Sequence, residues 1–235
     1  MTAVRIAMWC GPRTVSTALM RAFGSRADCV VDDEPLYAAY LAATGLDHPG
    51  RAEILASQPT AWSEAVDRLA RPLPAGRTVH YQKHMAHHLL PEVGRGWLAG
   101  VRNAFLIRDP AHVVASYAKV RGTPTLADLG YPQQVEIFRA RGGPVVDSAD
   151  LLRDPPAVLR RLCAALGIGY DAAMLTWPPG RRDTDGVWAP YWYGAVEAST
   201  GFAPYRDIPA DVPDRLRHLV DEAQPYYAEL ARHKL

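Results

Sequence analysis

The 235-residue chain has little that would tie it to a membrane, a nucleic acid or an oxidising compartment. No apolar run approaches the ~20 residues a membrane-spanning helix needs, and the N-terminus has no signal-peptide pattern. No membrane partner is therefore expected, and the cytoplasm is the default compartment. Lys and Arg number 26 against 25 Asp and Glu, a net charge of +1, which leaves no basic footprint for a nucleic acid. Any anion binding has to be local. Cys10, Cys29 and Cys163 are scattered and odd in number, which argues against a disulfide framework or a cysteine-based zinc site. Internal repeats and low-complexity linkers are missing too, and the length suits one domain over residues 1–235.

What the chain does have is an alternation of strand and helix patterns. Residues 4–9 read as a strand, followed by a turn at Gly11-Pro12, the loop Arg13-Thr14-Val15-Ser16-Thr17, and a helix with Leu19, Met20 and Phe23 on one face. Further strands are expected over 28–33, 77–84, 103–109 and 143–148. Helices are expected over 34–45, 51–69, 86–90, 111–120, 133–141, 156–166 and 213–233. Pro35 suits a first helical turn and Gly45 a C-cap, while Asp109 and Pro110 suit the cap and first turn of the helix after them. Residues 176–206, rich in Pro, Gly, Trp and Tyr, have no period, and a loop of that length is usually functional. The alternation predicts an α/β fold, a single domain with a central, mostly parallel sheet flanked by helices. Ligands of such folds bind beyond the carboxyl ends of the strands. Arg13, Glu34, Lys83 and Arg108 each stand at or just past such an end, so parallel strands bring them to one edge.

The first strand, loop and helix make an anion site, because the first amides of a helix have no internal partner and carry a partial positive charge. A nucleotide loop of the G-x-x-x-x-G-K-[ST] type is not present. Counted from Gly11, its last three positions hold Ser16, Thr17 and Ala18, without the lysine or the magnesium-binding hydroxyl. That argues against a metal-dependent kinase. The loop's cation comes early instead, at Arg13.

The stretch GPRTVSTAL, residues 11–19, resembles the 5′-phosphosulfate loop of sulfotransferases that use 3′-phosphoadenosine 5′-phosphosulfate (PAPS). That loop is typically written PKSGTTW or PRSGSTLL, and Val15 departs from its glycine-like position. FLIRDPAHVVASY, residues 105–117, is similar to the family's 3′-phosphate motif, which implies that Arg108 and Ser116 hold the 3′-phosphate. Residues 145–177 resemble a largely structural family segment, and RRDTDGVW, residues 181–188, is loosely like the late R-K-G-x-x-G-x-W loop. The latter implies Arg181 and Arg182 as further 3′-phosphate ligands. The resemblance runs from Val4 to about Trp188 and lies nearest the bacterial trehalose-type and small-metabolite branch. It implies a P-loop NTPase-like sulfotransferase architecture, PAPS as donor, 3′,5′-adenosine bisphosphate as product, no metal, and a small hydroxyl-bearing acceptor.

Gly11, Pro12, Arg13, Thr14, Val15, Ser16 and Thr17 would then surround the 5′-phosphate, with Arg13 and Arg108 at opposite ends of one doubly phosphorylated adenosine. Lys83 resembles the lysine of the family's K-T-H segment and is expected to touch the sulfuryl oxygens. The general base stays open. The cytosolic branch uses a His two residues after that Lys, where this chain has Met85. Glu34 resembles the glutamate base of the trehalose-type enzymes, and His84 is the alternative. His84 and His88, four apart, invite a zinc reading, but no nearby Cys or acidic ligand supports it. Trp188, Tyr191, Trp192 and Tyr193 read either as core or as a cover over acceptor or adenine. Sulfation as an end product or as activation of a leaving group is undecided. A non-catalytic nucleotide-binding subunit remains the rival to an enzyme, and a homodimer or a heteromeric partner is open.

Overall fold

Alternate side chains of the first strand, β1 (Val4–Cys10), enter two different cores, as the two-residue period of a strand requires. Ile6, Met8 and Cys10 join one core with Leu19, Met20 and Phe23 of α1 (Ser16–Gly24), while Ala7 and Trp9 join the other. The computed structural model describes residues 3–121 and 123–235. The chain continues through β2 (Cys29–Asp33), α2 (Tyr37–Thr44), α3 (Arg51–Ser57), α4 (Trp62–Leu69) and β3 (Val79–Met85). It goes on through β4 (Arg102–Ile107), α5 (Pro110–Arg121), α6 (Leu126–Leu129), α7 (Tyr131–Arg141) and β5 (Val145–Asp147). The last helices are α8 (Ser148–Arg153), α9 (Pro155–Ala165), α10 (Ala189–Trp192), α11 (Gly194–Glu197) and α12 (Arg217–Ala231).

The sheet has five strands in the order β2-β3-β1-β4-β5, and every neighbouring pair is parallel. This is an α/β fold with both sheet faces covered, as the strand–helix alternation predicts. Register lines up the carboxyl ends: Cys10 pairs with Met85 and with Leu106, and Asp33 with Lys83. The segments after β1, β2, β3 and β4 therefore open onto one edge. From β1 the chain goes on to β2 at one edge of the sheet and from β4 to β5 at the other, and ligands of such sheets bind where the order reverses.

Several boundaries differ from the sequence reading. The helix expected over 34–45 begins only at Tyr37, because Glu34 has a φ of 43°, outside any helix, while Gly45 closes it with a φ of 68° as expected. The helix expected over 51–69 is two, α3 and α4. Pro59 disfavours a helical conformation at Gln58, which is extended at φ −137°, ψ 160°. The freed Gln58 side chain donates to the Glu34 carbonyl at 3.2 Å and accepts from the Ala38 amide at 3.2 Å. Strand β5 is shorter than 143–148, since Ser148 already starts α8. The segment 176–206 contains α10 and α11, and the last helix starts with a 3-10 turn at Asp214–Leu216. Asp109 caps α5 as expected, its Oδ1 accepting from the Ala111 amide at 2.9 Å.

Candidate active site

A cavity of about 370 Å³ opens at the carboxyl edge of the sheet, lined by Arg13, Glu34, Lys83 and Arg108 among others. All four strand-end residues expected at one edge are there. The loop after β1 supplies its centre. Arg13 and Val15 both take left-handed backbone conformations, at φ 60° and 58°. Such angles are uncommon for any side chain other than glycine and costly for a β-branched one, of order 1–3 kcal/mol. The loop is held by Thr14, whose hydroxyl donates to the Gly11 carbonyl at 2.8 Å and whose carbonyl accepts from Ser148 Oγ at 2.8 Å. Among the described residues no side chain caps α1, and Ser16, Thr17 and Ala18 of its first turn line the cavity.

Gly11 itself does not line the cavity. Its Cβ position lies 2.4 Å from the Leu129 carbonyl oxygen, so glycine is required for the loop to pass that backbone. Gly11→Ala is expected to destabilise the fold by about 1–3 kcal/mol, read as a shift in the denaturant midpoint. An unchanged midpoint removes that role.

Arg13 and Arg108 are not at opposite ends of the cavity. Arg13 Nε donates to Ser116 Oγ at 2.9 Å, and Arg108 Nη1 donates to the Arg13 carbonyl at 2.7 Å. Burial first, and then the Arg13 cation, pull the Arg108 guanidinium below its ordinary range. Among the described residues neither arginine forms an ion pair. Two adjacent cations without a paired carboxylate among the described residues, beside an uncapped helix N-terminus, fit a ligand with more than one anionic group.

Lys83 and Glu34 meet on the other side of β1. Lys83 Nζ lies 2.7 Å from Glu34 Oε1, 2.9 Å from Asp33 Oδ1 and 2.6 Å from Tyr193 Oη. An ammonium has three hydrogens, so the expected contact with a sulfuryl oxygen requires Lys83 to give up one of these partners. Burial raises the Glu34 carboxyl above its ordinary value; Lys83 opposes that shift and Asp33 adds to it. The Lys83 ammonium is held well above its ordinary range: desolvation opposes its charge, and Asp33 and Glu34 together outweigh it.

Asp33 was not legible as a site residue, and Tyr193 was legible only as one of four aromatics that read as core or as a cover. Asp33 Oδ2 accepts from the Gly186 amide at 3.1 Å and from Tyr193 Oη at 2.7 Å, and Tyr193 Oη accepts from Trp188 Nε1 at 3.1 Å. The late loop is thereby fastened to the ends of β2 and β3. The aromatic run divides: Trp188 is buried in this network, Tyr193 is buried in it and also lines the cavity with Trp192, and Tyr191 is exposed. Only the pairing DD at the end of β2 hinted at Asp33.

His84 is a correction. The strand period that turns Lys83 and Met85 to the cavity turns His84 to the opposite face, where it stacks on Trp9 at 4.5 Å. Its Nε2 is 3.1 Å from Gln82 Oε1, and burial holds the imidazole down to about 3. It cannot reach a reaction in the cavity. Met85 occupies the cavity-facing position, without a basic atom. Arg181 and Arg182 also stay outside the cavity lining. Asp185 holds their loop against α1, pairing with Arg21 at 2.6 Å and accepting from the Arg182 amide at 2.8 Å, while Arg181 is exposed. Ser116 is at the cavity only through Arg13. No helix among the described residues is long and apolar enough to cross a membrane.

A family model described as a sulfotransferase domain matches residues 4–233. Two proteins of Arabidopsis thaliana, branched-chain-amino-acid aminotransferase-like proteins 1 and 2, are 36% and 34% identical to the chain over 230 residues. Those matches take in 96% of this chain but 41% of each relative, so the chain spans about two fifths of the curated relatives' length. Among solved structures, the sulfotransferase domain of the Synechococcus PCC 7002 olefin synthase aligns with a TM-score of 0.58 at 17% identity, over 97% of this chain and 95% of that one. A sulfotransferase from Alicyclobacillus acidocaldarius aligns with a TM-score of 0.59 at 13% identity, over 100% and 98%. These two structures share the fold.

Proposed function

The chain belongs to the sulfotransferase domain family, and from that premise we propose that it transfers a sulfuryl group from PAPS to a hydroxyl of a small-molecule acceptor. The observation that carries this reading is the Arg13–Arg108 pair, which among the described residues forms no ion pair, beside an uncapped helix N-terminus and in the same cavity as the Glu34–Lys83 pair. Arg13 and Arg108 take the 3′-phosphate, with Ser116 holding Arg13 in place, while the first amides of α1 with Ser16 and Thr17 take the 5′-phosphate. When bound, PAPS supplies an electrophilic sulfur and a phosphate leaving group.

The chain's own residues then do two things. Glu34 removes the proton of the acceptor hydroxyl, a task eased by the burial that raises its basicity. On taking that proton Glu34 loses its charge and its hold on Lys83 weakens. One ammonium hydrogen is released toward oxygen atoms that gain charge during transfer. Asp33 and Tyr193 keep the other two and prevent Lys83 from leaving the site. Side-chain cations fill the place that a metal has in many phosphoryl-transfer sites.

Titration calorimetry with 3′,5′-adenosine bisphosphate, 5′-AMP and ATP tests this. The bisphosphate is expected to bind most tightly; a preference for ATP overturns the reading. Arg108→Ala and Arg13→Ala are each expected to weaken the bisphosphate by roughly 10–100-fold, the worth of a charge-assisted hydrogen bond, with a far smaller effect on 5′-AMP. Equal losses for both ligands in Arg13→Ala move Arg13 to the 5′-phosphate.

A further inference from the structure

Glu34 owes its place to its backbone, which takes an angle that side chains other than glycine rarely adopt, φ 43°. Two features of the chain explain it. Pro35 follows, and its ring disfavours right-handed helical angles at the residue before it. The other is Gln58, which reaches the same turn from the extended link between α3 and α4. Its Nε2 donates to the Asp33 carbonyl at 3.4 Å and to the Glu34 carbonyl at 3.2 Å, and its Oε1 accepts from the Ala38 amide at 3.2 Å. One amide nitrogen can answer two successive carbonyls only when both point toward it. That needs helical-type angles, of either hand, at the residue between the two peptide planes, which is Glu34. With the right-handed form disfavoured by Pro35, the left-handed one remains.

On the sulfuryl-transfer reading above, in which Glu34 is the base, we propose that Gln58 is its positioning residue: it clamps the turn after β2 and so keeps the Glu34 carboxylate buried beside Lys83. Gln58 does not line the cavity, so it touches no ligand there and acts through Glu34. The clamp completes a frame whose other members are backbone. The Glu34 amide donates to the Lys83 carbonyl at 2.9 Å, and the Tyr37 amide donates to the Glu34 carbonyl at 3.0 Å. These bonds fix where the chain passes, and Gln58 selects the angle at which Glu34 leaves it. The start of α2 gains as well: Leu36 at its N-cap has no polar side chain, and Gln58 takes the Ala38 amide in its place. The groups facing the carboxylate are Lys83, Asp33 and Tyr193. Lys83 Nζ, at 2.7 Å, is the contact that the left-handed turn delivers. A turn relaxed to an extended angle carries the carboxylate out of that place toward water.

The test follows the Glu34 carboxyl itself, by carbon NMR of protein isotope-labelled at the glutamate side-chain carboxyls, from about pH 4 to 9. Its resonance is the one that Glu34→Gln removes. In the parent, Glu34 is expected to titrate above the ordinary 4.5, since burial raises it. Gln58→Met, which keeps the length without an amide, is expected to lower that proton affinity about tenfold, toward the ordinary value. Gln58→Asn, one methylene short of the two carbonyls, is expected to move it the same way, and decides the matter if Gln58→Met does not fold. Ile54→Val, inside α3 and away from the turn, controls for general loosening and is expected to leave the titration unchanged. Affinity for 3′,5′-adenosine bisphosphate is expected to be the same in the parent and in the Gln58 variants. An unaltered or raised titration in the folded Gln58 variants overturns the proposal, as does an equal fall in Ile54→Val or a loss of bisphosphate affinity on changing Gln58. Absence of bisphosphate binding in the parent, with the effect of Gln58 on Glu34 intact, overturns the donor reading alone.

Discussion

Glu34→Gln is expected to lower turnover by about 10²–10⁴-fold while leaving bisphosphate affinity unchanged. Gln keeps an oxygen for Lys83 and nearly the same shape, so the Lys83 contact at 2.7 Å and the backbone at φ 43° have no reason to move. What disappears is the ability to accept a proton. In the parent protein the base must be ionised, and burial raises its value above the ordinary 4.5. Turnover therefore falls as pH drops through that raised value, with its acid limb above the usual carboxylate range. Glu34→Gln is expected to abolish that limb, measured as the pH profile of kcat/KM. Unchanged turnover in this variant transfers the base to His88, the neutral imidazole lining the cavity, and not to His84, which faces the other core.

Lys83→Met is expected to cost about 3–5 kcal/mol of stability at neutral pH, because it leaves the Asp33 and Glu34 carboxylates buried without their cation. For a domain of this length that corresponds to a melting temperature lower by roughly 10 °C. The loss has a sign in pH. Without Lys83, burial and the neighbouring carboxylate raise the Glu34 carboxyl further above its unfolded value in the folded protein. The folded state then binds more protons, and stability is lost as pH rises through that raised value and recovered below it. Melting curves of parent and variant, compared from pH 7.5 down to 5, are expected to draw together as the pH falls. A constant gap across that window rules out buried charge as the cause. Lys83→Arg, which keeps the charge, is expected to hold the fold at pH 7.5.

How far the chain's text reached can be judged residue by residue. The strand–helix alternation and the placement of Arg13, Glu34, Lys83 and Arg108 at strand ends were legible because periodicity and turn chemistry are local, and parallel strands put their carboxyl ends on one side. The split of 51–69 was legible in principle from Pro59. His84 misled because closeness in sequence to Lys83 is opposition in space: one step along a strand reverses the face. Arg181 and Arg182 misled because Asp185, a few residues on, reaches back to Arg21 and draws their loop onto α1.

The sequence by itself determined the fold class, the anion-binding loop and the one edge on which the chemistry gathers, since each follows from spacing within a short stretch. Only the tertiary structure decided which cation sits beside which. It brought Arg13 to Ser116 and Arg108 to Arg13, enclosed Lys83 between Asp33, Glu34 and Tyr193, and set His88 in the cavity wall. The residues in those contacts are as many as 110 positions apart, as Lys83 and Tyr193 are, and no local rule fixes a contact that depends on how separate elements pack.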